Sequence, residues 1–145
     1  MRDQKGFTLL ELIIVIGLIA VAAAIAMVAL NDARDKGRDT GVKANLSQIR
    51  QHAESVHLED GHYNRVCGVN GDQQETTITQ LVTAAEIESP GEVGSATCGA
   101  TAAGDSSGWA ISVALATEGY WCVDAAGFSG YSETGLDHSN DVSCQ

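Results

Sequence analysis

The apolar residues of this chain follow three different patterns in turn. In the first, residues 7–30 carry a single charged side chain, Glu11, among 24 positions. A helix of that length extends roughly 36 Å at about 1.5 Å per residue, and the hydrocarbon core of a bilayer is about 30 Å thick. This segment is therefore predicted to be a helix that crosses a membrane once.

The second pattern is an apolar stripe on an otherwise polar segment. Its members recur at spacings of three and four residues, which places them on one face of a helix: Val42, Leu46, Ile49, Ala53 and Val56. Because no proline separates the two segments, we expect one continuous helix from about Phe7 to about Leu58, ended by Gly61. Gly37 and Gly41 are its weak points, since glycine disfavours a helix interior.

The third pattern follows a loop-rich connection, residues 61–108. One short helix is predicted within it, at Thr76–Glu88, because the apolar residues there fall on one face. Beyond it, apolar positions alternate with small or polar ones, which predicts three strands: Trp109–Leu115, Tyr120–Val123 and Phe128–Thr134. An antiparallel sheet of these strands would cover the apolar stripe of the helix, so the predicted fold class is α+β.

Charge is unevenly distributed along the chain. The formal net charge is −11, and residues 61–145 contain eleven Asp and Glu against one basic residue, Arg65. Such an acidic surface repels phosphate backbones, so direct nucleic-acid binding is not expected. The sequence has no His-Glu-x-x-His, no Gly-x-Ser-x-Gly, no Walker loop and no dinucleotide fingerprint. We therefore expect neither an enzyme nor a bound cofactor.

All four cysteines, Cys67, Cys98, Cys122 and Cys144, follow the apolar helix, and none forms a Cys-x-x-Cys pair. This spacing favours disulfides in an oxidising compartment over zinc, although it leaves three possible connectivities. We prefer Cys67 with Cys98 and Cys122 with Cys144, because each pairing closes a moderate loop worth about 3 to 4 kcal/mol in the loop-entropy model. Basic residues lie on both sides of the apolar helix, so the cysteines decide its orientation and place the C-terminal part outside the cytoplasm.

Two groups of polar residues have side chains of the kinds that bind metal ions in proteins. They are His57, Asp60 and His62 at the predicted end of the long helix, and Asp137, Asn140 and Asp141 near the C-terminus. Neither group forms a recognisable motif. Exposed polar residues need no metal to explain them, and no metal site is predicted.

The residues around Glu11 carry a more specific signal. A charged leader ends in Lys5-Gly6 and is followed by Phe7-Thr8-Leu9-Leu10-Glu11 and a long aliphatic run. This arrangement resembles the N-terminus of type IV prepilins and pseudopilins. The resemblance implies that a prepilin peptidase cuts after Gly6 and methylates the new N-terminus at Phe7, and that a sheet lies across the C-terminal half of a long helix. Val28 stands where the family usually has a proline.

Glu11 has two interpretations. As part of a plain membrane anchor, its carboxylate would reach the membrane surface from near the end of the helix. Alternatively, cleavage creates an α-amine on Phe7, and Glu11 of one subunit pairs with that amine on a neighbour in the apolar core of a filament. The second interpretation is favoured because residues 7–11 follow the family pattern closely.

A secretory signal peptide is the main rival to this picture. Ala22-Ala23-Ala24 and Ala24-Ile25-Ala26 both offer Ala-x-Ala cleavage sites after an apolar region. Against this, Glu11 lies inside that region and the apolar run continues to Leu30.

The sequence thus predicts four segments. Residues 1–6 are a leader that is removed, 7–30 a membrane and filament-core helix, 31–60 its amphipathic continuation, and 61–145 a disulfide-bonded head. The predicted function is that of a type IV pilus subunit, held in the inner membrane by one span and then polymerised with itself by the pilus assembly machinery onto the cell surface. The alternatives are a pseudopilin of a type II secretion or DNA-uptake system, and a minor pilin or anchored adhesin.

Overall fold

The computed structural model of the protein describes residues 6–91, 94–101, 106–137 and 141–144. In these ranges the chain forms three helices and four strands: α1 (Leu9–Asp60), α2 (Asn64–Cys67), α3 (Thr76–Glu88), β1 (Thr97–Ala100), β2 (Trp109–Ala114), β3 (Tyr120–Asp124) and β4 (Ser129–Ser132). The chain divides into two compact units, Met1–Arg34 and Asp35–Gln145. Helix α1 contributes residues to both.

The long helix is continuous over 52 residues, as predicted. It ends at Gly61, where a φ of +79° takes the backbone into the left-handed region that glycine tolerates best. The Gly61 N–H donates to the carbonyl of His57 at 2.9 Å and so satisfies one of the last helical acceptors. The predicted end of this helix is therefore confirmed.

The strands form one antiparallel sheet in the order β1-β2-β3-β4. The three predicted strands are confirmed as β2, β3 and β4, each within two residues of its expected bounds. The prediction of a single helix between residues 61 and 108 was wrong, because α2 and β1 also lie there. Both are four residues long, too short to show a period in the sequence.

The core of the second unit lies between the apolar stripe of α1 and one face of the sheet. All five predicted stripe residues are buried, none more than 3% exposed. Trp109, Ile111 and Val113 of β2 project from alternate positions into the same cluster. Burying a Val, Leu or Ile side chain contributes about 1.5 to 3 kcal/mol, so this contact is the main apolar support of the sheet.

The opposite face of the sheet is covered by the C-terminal tail. Ala110, Cys122 and Cys144 form a second small cluster there, with Phe128 and Leu136 packed against it. The tail approaches β1 so closely that a Cβ at Gly99 would lie 1.9 Å from the carbonyl oxygen of Asp141. Only glycine therefore fits at this position.

Candidate functional site

The segment that carries the sequence motif begins outside the helix and is open to solvent. Gly6 and Phe7 precede α1, and the Phe7 side chain is 87% exposed. A Cβ added at Gly6 would meet no atom within 4 Å. The peptide bond between Gly6 and Phe7 therefore lies outside the helix and is open to solvent.

Thr8 and Glu11 form a capping box at the start of α1. The Thr8 N–H donates to Glu11 Oε2 at 2.9 Å, and the Glu11 N–H donates to Thr8 Oγ1 at 3.2 Å. The Thr8 hydroxyl also donates to Glu11 Oε2, at 2.8 Å. Each side chain thus satisfies a backbone N–H that the first turn of a helix leaves without a partner.

This capping box gives Glu11 a local role that the sequence reasoning missed. The signal was present, since Thr8-Leu9-Leu10-Glu11 has the Thr-x-x-Glu spacing of the motif. In the described part of the chain the hydrogen bonds of the carboxylate all go to Oε2. Oε1 is left for a further donor, so capping and pairing with an amine are compatible.

The segment of α1 that follows is apolar on every side and entirely exposed. It is the one helix of the described residues long and apolar enough to cross a membrane, and none of that stretch is buried within the chain. Its large apolar side chains are 49% to 75% exposed between Leu9 and Leu30. A surface of this kind needs lipid or other protein chains to cover it.

The four cysteines form two disulfides, Cys67–Cys98 and Cys122–Cys144. These are the two pairings preferred from loop length. The first ties α2 to β1, and the second ties the C-terminal tail to β3. The first bond lies against the main apolar core, and the second lies in the small cluster beneath the tail.

His57, Asp60 and His62, at the end of α1, each contact a different residue. The His57 ring lies 4.5 Å from that of Tyr63, Asp60 accepts a hydrogen bond from Arg65 at 3.1 Å, and His62 Nδ1 accepts one from the Asn64 N–H at 3.4 Å. Among the described residues there is no group of three His, Cys, Asp or Glu that could hold a metal ion.

In the group of polar residues near the C-terminus, Asp141 Oδ2 accepts the Asp137 N–H at 3.1 Å. Asn140 lies outside the described residues.

Asp39 and Asp124 are buried carboxylates that hold parts of the head together, and neither was singled out from the sequence. Asp39, 4% exposed, accepts the Ala116 N–H at 2.6 Å and the Thr117 hydroxyl at 2.5 Å, which fastens the β2–β3 turn to α1. Asp124, 2% exposed, accepts the N–H groups of Phe128 and Cys144. For Asp39 a signal existed, because it lies three residues before Val42 in register with the apolar stripe.

Comparisons with known proteins show sequence similarity to part of this chain. Residues 1–27 match the family described as the prokaryotic N-terminal methylation motif. The chain is 41% identical over 63 residues to the type IV wide pilus major component PilA4 of Thermus thermophilus, covering 43% of this chain and 48% of that protein. It is 41% identical over 59 residues to a fimbrial protein of Pseudomonas aeruginosa, covering 41% of this chain and 38% of that protein.

A longer match is to the prepilin peptidase-dependent protein D of Escherichia coli, 32% identical over 87 residues and 60% of each chain. The chain thus spans about half the length of the curated relatives it matches. No solved structure matches it significantly. By its N-terminal motif and these relatives, the chain is similar to type IV pilins over part of its length, and its α+β fold combines a long helix with an antiparallel sheet.

Proposed function

We propose that this chain is a structural subunit of a type IV pilus. It is made as an inner-membrane precursor with residues 61–145 outside the cytoplasm. A prepilin peptidase removes residues 1–6 after Gly6 and methylates the new N-terminus at Phe7. The assembly machinery then polymerises copies of the chain, with residues 7–30 in the filament core, 31–60 as the continuation of the helix, and the heads on the outside.

One observation carries this proposal: the apolar part of α1 is entirely exposed in the isolated chain and begins beside the methylation motif. A helix of the same composition in the core of a soluble protein would be buried by its own chain, and this one is not. It therefore requires two successive partners. Lipid covers it in the precursor, and the same segment of other copies covers it in the filament.

Glu11 gives the polymer its register in this proposal. Cleavage turns Phe7 into an N-terminal residue with a positive α-amine, and an unpaired charge in an apolar core is costly. A carboxylate four residues along can neutralise the amine of a neighbouring copy. Thr8 donates its hydrogen bonds to Oε2 of Glu11. The negative charge of the carboxylate and its Oε1 atom therefore remain for the amine.

The capping and pairing roles of Glu11 can be separated by substitution. Glu11→Gln keeps an oxygen acceptor for the Thr8 N–H but removes the charge, whereas Thr8→Ala removes the cap and keeps the charge. Loss of one partner of a buried ion pair costs about 3 to 5 kcal/mol, and loss of an N-cap side chain costs about 1 kcal/mol. We therefore expect Glu11→Gln and Glu11→Ala to abolish filaments and Thr8→Ala to keep them.

The measurement is the yield of filaments sheared from cells beside the amount of processed protein in membranes. Membrane levels should be equal for all variants, because a free subunit can expose its amine to water and headgroups. Normal filaments from cells that make only the Glu11→Gln protein would refute the pairing. Failure of Thr8→Ala together with success of Glu11→Gln would show that Glu11 acts through the cap alone.

Processing is tested by intact mass and N-terminal sequence of the mature protein. We expect a start at Phe7 with one added methyl group, and an uncut precursor when Gly6 is replaced by a bulky residue such as Leu. A start between Ala23 and Met27 would instead establish a secretory signal peptide.

Electron microscopy of cells expressing the tagged chain tests the subunit role itself. Abundant labelled fibres are expected. Labelling only at fibre tips would assign the chain as a minor pilin, and processed protein without fibres would contradict the proposal.

A further inference from the structure

The positive charges of the mature chain are few, and most are already engaged. Beyond the leader there are six Lys and Arg, and five of them lie between Arg34 and Arg50. Arg65 pairs with Asp60 at 3.1 Å, Arg50 donates to the carbonyl of Phe128, and Lys43 lies 4.9 Å from the centre of the Trp121 ring. Lys36 also has an interaction within the chain.

The other two cations, Arg34 and Arg38, are exposed and make no hydrogen bond or ion pair with the residues that the structure describes. They lie four residues apart on α1, shortly after the apolar segment ends. A guanidinium offers five N–H donors arranged to match a carboxylate. Each of these residues can therefore hold an acidic group that approaches α1 from outside.

The head has the opposite imbalance. Its single basic residue in positions 61–145, Arg65, already contacts Asp60 and Glu59. Glu118 and Glu133 are exposed and without a partner among the described residues. Both lie at one end of the sheet, since Glu118 is in the β2–β3 turn, Glu133 follows β4, and Tyr120 pairs with Ser132 between them. This pair of carboxylates is called the acidic edge below.

We propose that Arg34 and Arg38 of one copy bind the acidic edge of a neighbouring copy in the filament. This inference rests on the proposed function, because a homopolymer brings the helix of each copy near the heads of others. The charges are opposite in sign and equal in number. Although the β2–β3 turn is fastened to Asp39 beside Arg38, the described residues show no ion pair between these arginines and the acidic edge within one chain. Such a contact between two different patches is head-to-tail, the kind that extends into an open helical polymer. It would also fix the register of neighbouring heads.

Charge reversal tests the contact. Arg34→Glu/Arg38→Glu places like charges together, and such juxtaposition is strongly unfavourable, so we expect the filament yield to fall about tenfold or more. Glu118→Lys/Glu133→Lys should do the same. The protein with all four substitutions has the original net charge and restored complementarity, and its filament yield should return to near that of the wild type.

A milder pair of variants controls for net charge. Arg34→Gln/Arg38→Gln lowers the charge by the same amount as Gln48→Glu/Gln51→Glu, which alters exposed positions of α1. We expect the first to weaken filaments, more so in high salt, and the second to have little effect. Equal losses in both would mean that net charge alone matters and would overturn the proposal.

Cysteine cross-linking gives a readout that does not depend on filaments. All four native cysteines are paired in disulfides. An introduced cysteine can therefore form a new disulfide only with a cysteine introduced into another chain. Cells would make two full-length chains with different tags, one with Arg38→Cys and the other with Glu118→Cys. Mild oxidation should yield a mixed-tag dimer, whereas a pairing of Gln51→Cys with Glu118→Cys should yield far less.

The two proposals fail in different ways. Absence of fibres from the wild type, with the mixed-tag dimer still formed in membranes, would refute the pilus role and keep the contact. Normal wild-type fibres without that dimer, and without loss from charge reversal, would refute the contact.

A fall in the thermal stability of the detergent-solubilised subunit with Arg38→Glu, restored by Glu118→Lys, would show a pair within one chain. A fall in membrane level with Arg34→Gln/Arg38→Gln would show binding to lipid headgroups instead.

Discussion

Single polar residues decide how the head of this protein is attached to its helix. Asp39 occupies a position of the apolar stripe, where an unpaired carboxylate would be expensive to bury. Its two short hydrogen bonds to Ala116 and Thr117 offset that cost and hold the β2–β3 turn in place. Apolar contacts in the same region are non-directional. The hydrogen bonds of Asp39 therefore fix the position of the β2–β3 turn on α1.

Replacement of Asp39 by Ala should therefore destabilise the head. Leaving the Ala116 N–H buried without an acceptor costs about 1 to 3 kcal/mol, and we expect a loss of that size in the free energy of unfolding. Thermal or urea unfolding of the detergent-solubilised full chain measures it. Asp35→Ala removes the same charge from a half-buried position of the same helix. An equal loss in both variants would contradict a specific role for Asp39.

At the scale of elements, helix α3 shows what an amphipathic pattern can and cannot predict. Its bounds, Thr76–Glu88, agree with the sequence prediction, because a helix of 13 residues displays several turns of its period. Its cap was not predicted. Glu75 accepts the Ile78 N–H at 2.9 Å and the Thr77 hydroxyl at 3.1 Å, although Glu is not among the usual capping residues.

The stability of α3 should depend on pH through Glu75. Burial opposes ionisation of this carboxylate, but the hydrogen bonds from Thr77 and Ile78 outweigh it and lower its pKa from 4.5. A lowered pKa in the folded state means that the contribution is present above pH 4.5 and is lost as the pH falls through the lowered value. We expect Glu75→Ala to cost about 1 kcal/mol at pH 7 and progressively less in acid.

The measurement is the free energy of unfolding of the wild type and of Glu75→Ala between about pH 3 and about pH 7, a range that includes the ordinary pKa of a Glu side chain. Gln80→Ala, at an exposed position of the same helix, is the control and should show a difference from wild type that does not change with pH. A Glu75→Ala difference that stays constant down to pH 3 would contradict the cap.

At the scale of the whole molecule, covalent links take over where apolar packing is thin. The C-terminal tail is held by the Cys122–Cys144 bond, the hydrogen bond from the Cys144 N–H to Asp124, and a small apolar cluster. The tail has few other means of ordering itself. The disulfide therefore decides whether it stays on the sheet.

Removal of that bond should release the tail while the sheet persists. We expect Cys122→Ser/Cys144→Ser to lower the free energy of unfolding by about 2 to 5 kcal/mol and to raise hydrogen exchange in residues 141–144. Cys67→Ser/Cys98→Ser is the matched variant and should instead raise exchange in α2 and β1. Unchanged exchange of the tail in the first variant would show that noncovalent contacts are sufficient.

Thiol alkylation checks both bonds at once. Without reduction the folded protein should take up no label, because every cysteine is paired. Labelling of two or more cysteines in exported protein would contradict the disulfide framework.

The sequence by itself determined the features that repeat or that stand in a motif. The apolar run of residues 7–30, the stripe from Val42 to Val56 and the alternation from Trp109 onward each contain several periods, so the long helix, its buried face and three strands were predictable. The motif from Gly6 to Glu11 by itself indicates a similarity to type IV prepilins. These features depend on local spacing, which is fully visible in one dimension.

Only the tertiary structure decided the features that depend on residues far apart in the chain. Asp39 meets a turn 77 residues later, β1 exists because β2 pairs with it, and Gly99 is needed because the Asp141 carbonyl lies against it. The acidic edge likewise forms because β3 and β4 bring Glu118 and Glu133 to one end of the sheet. Long-range contacts of this kind leave no local period in the sequence, because packing rather than spacing selects the partners.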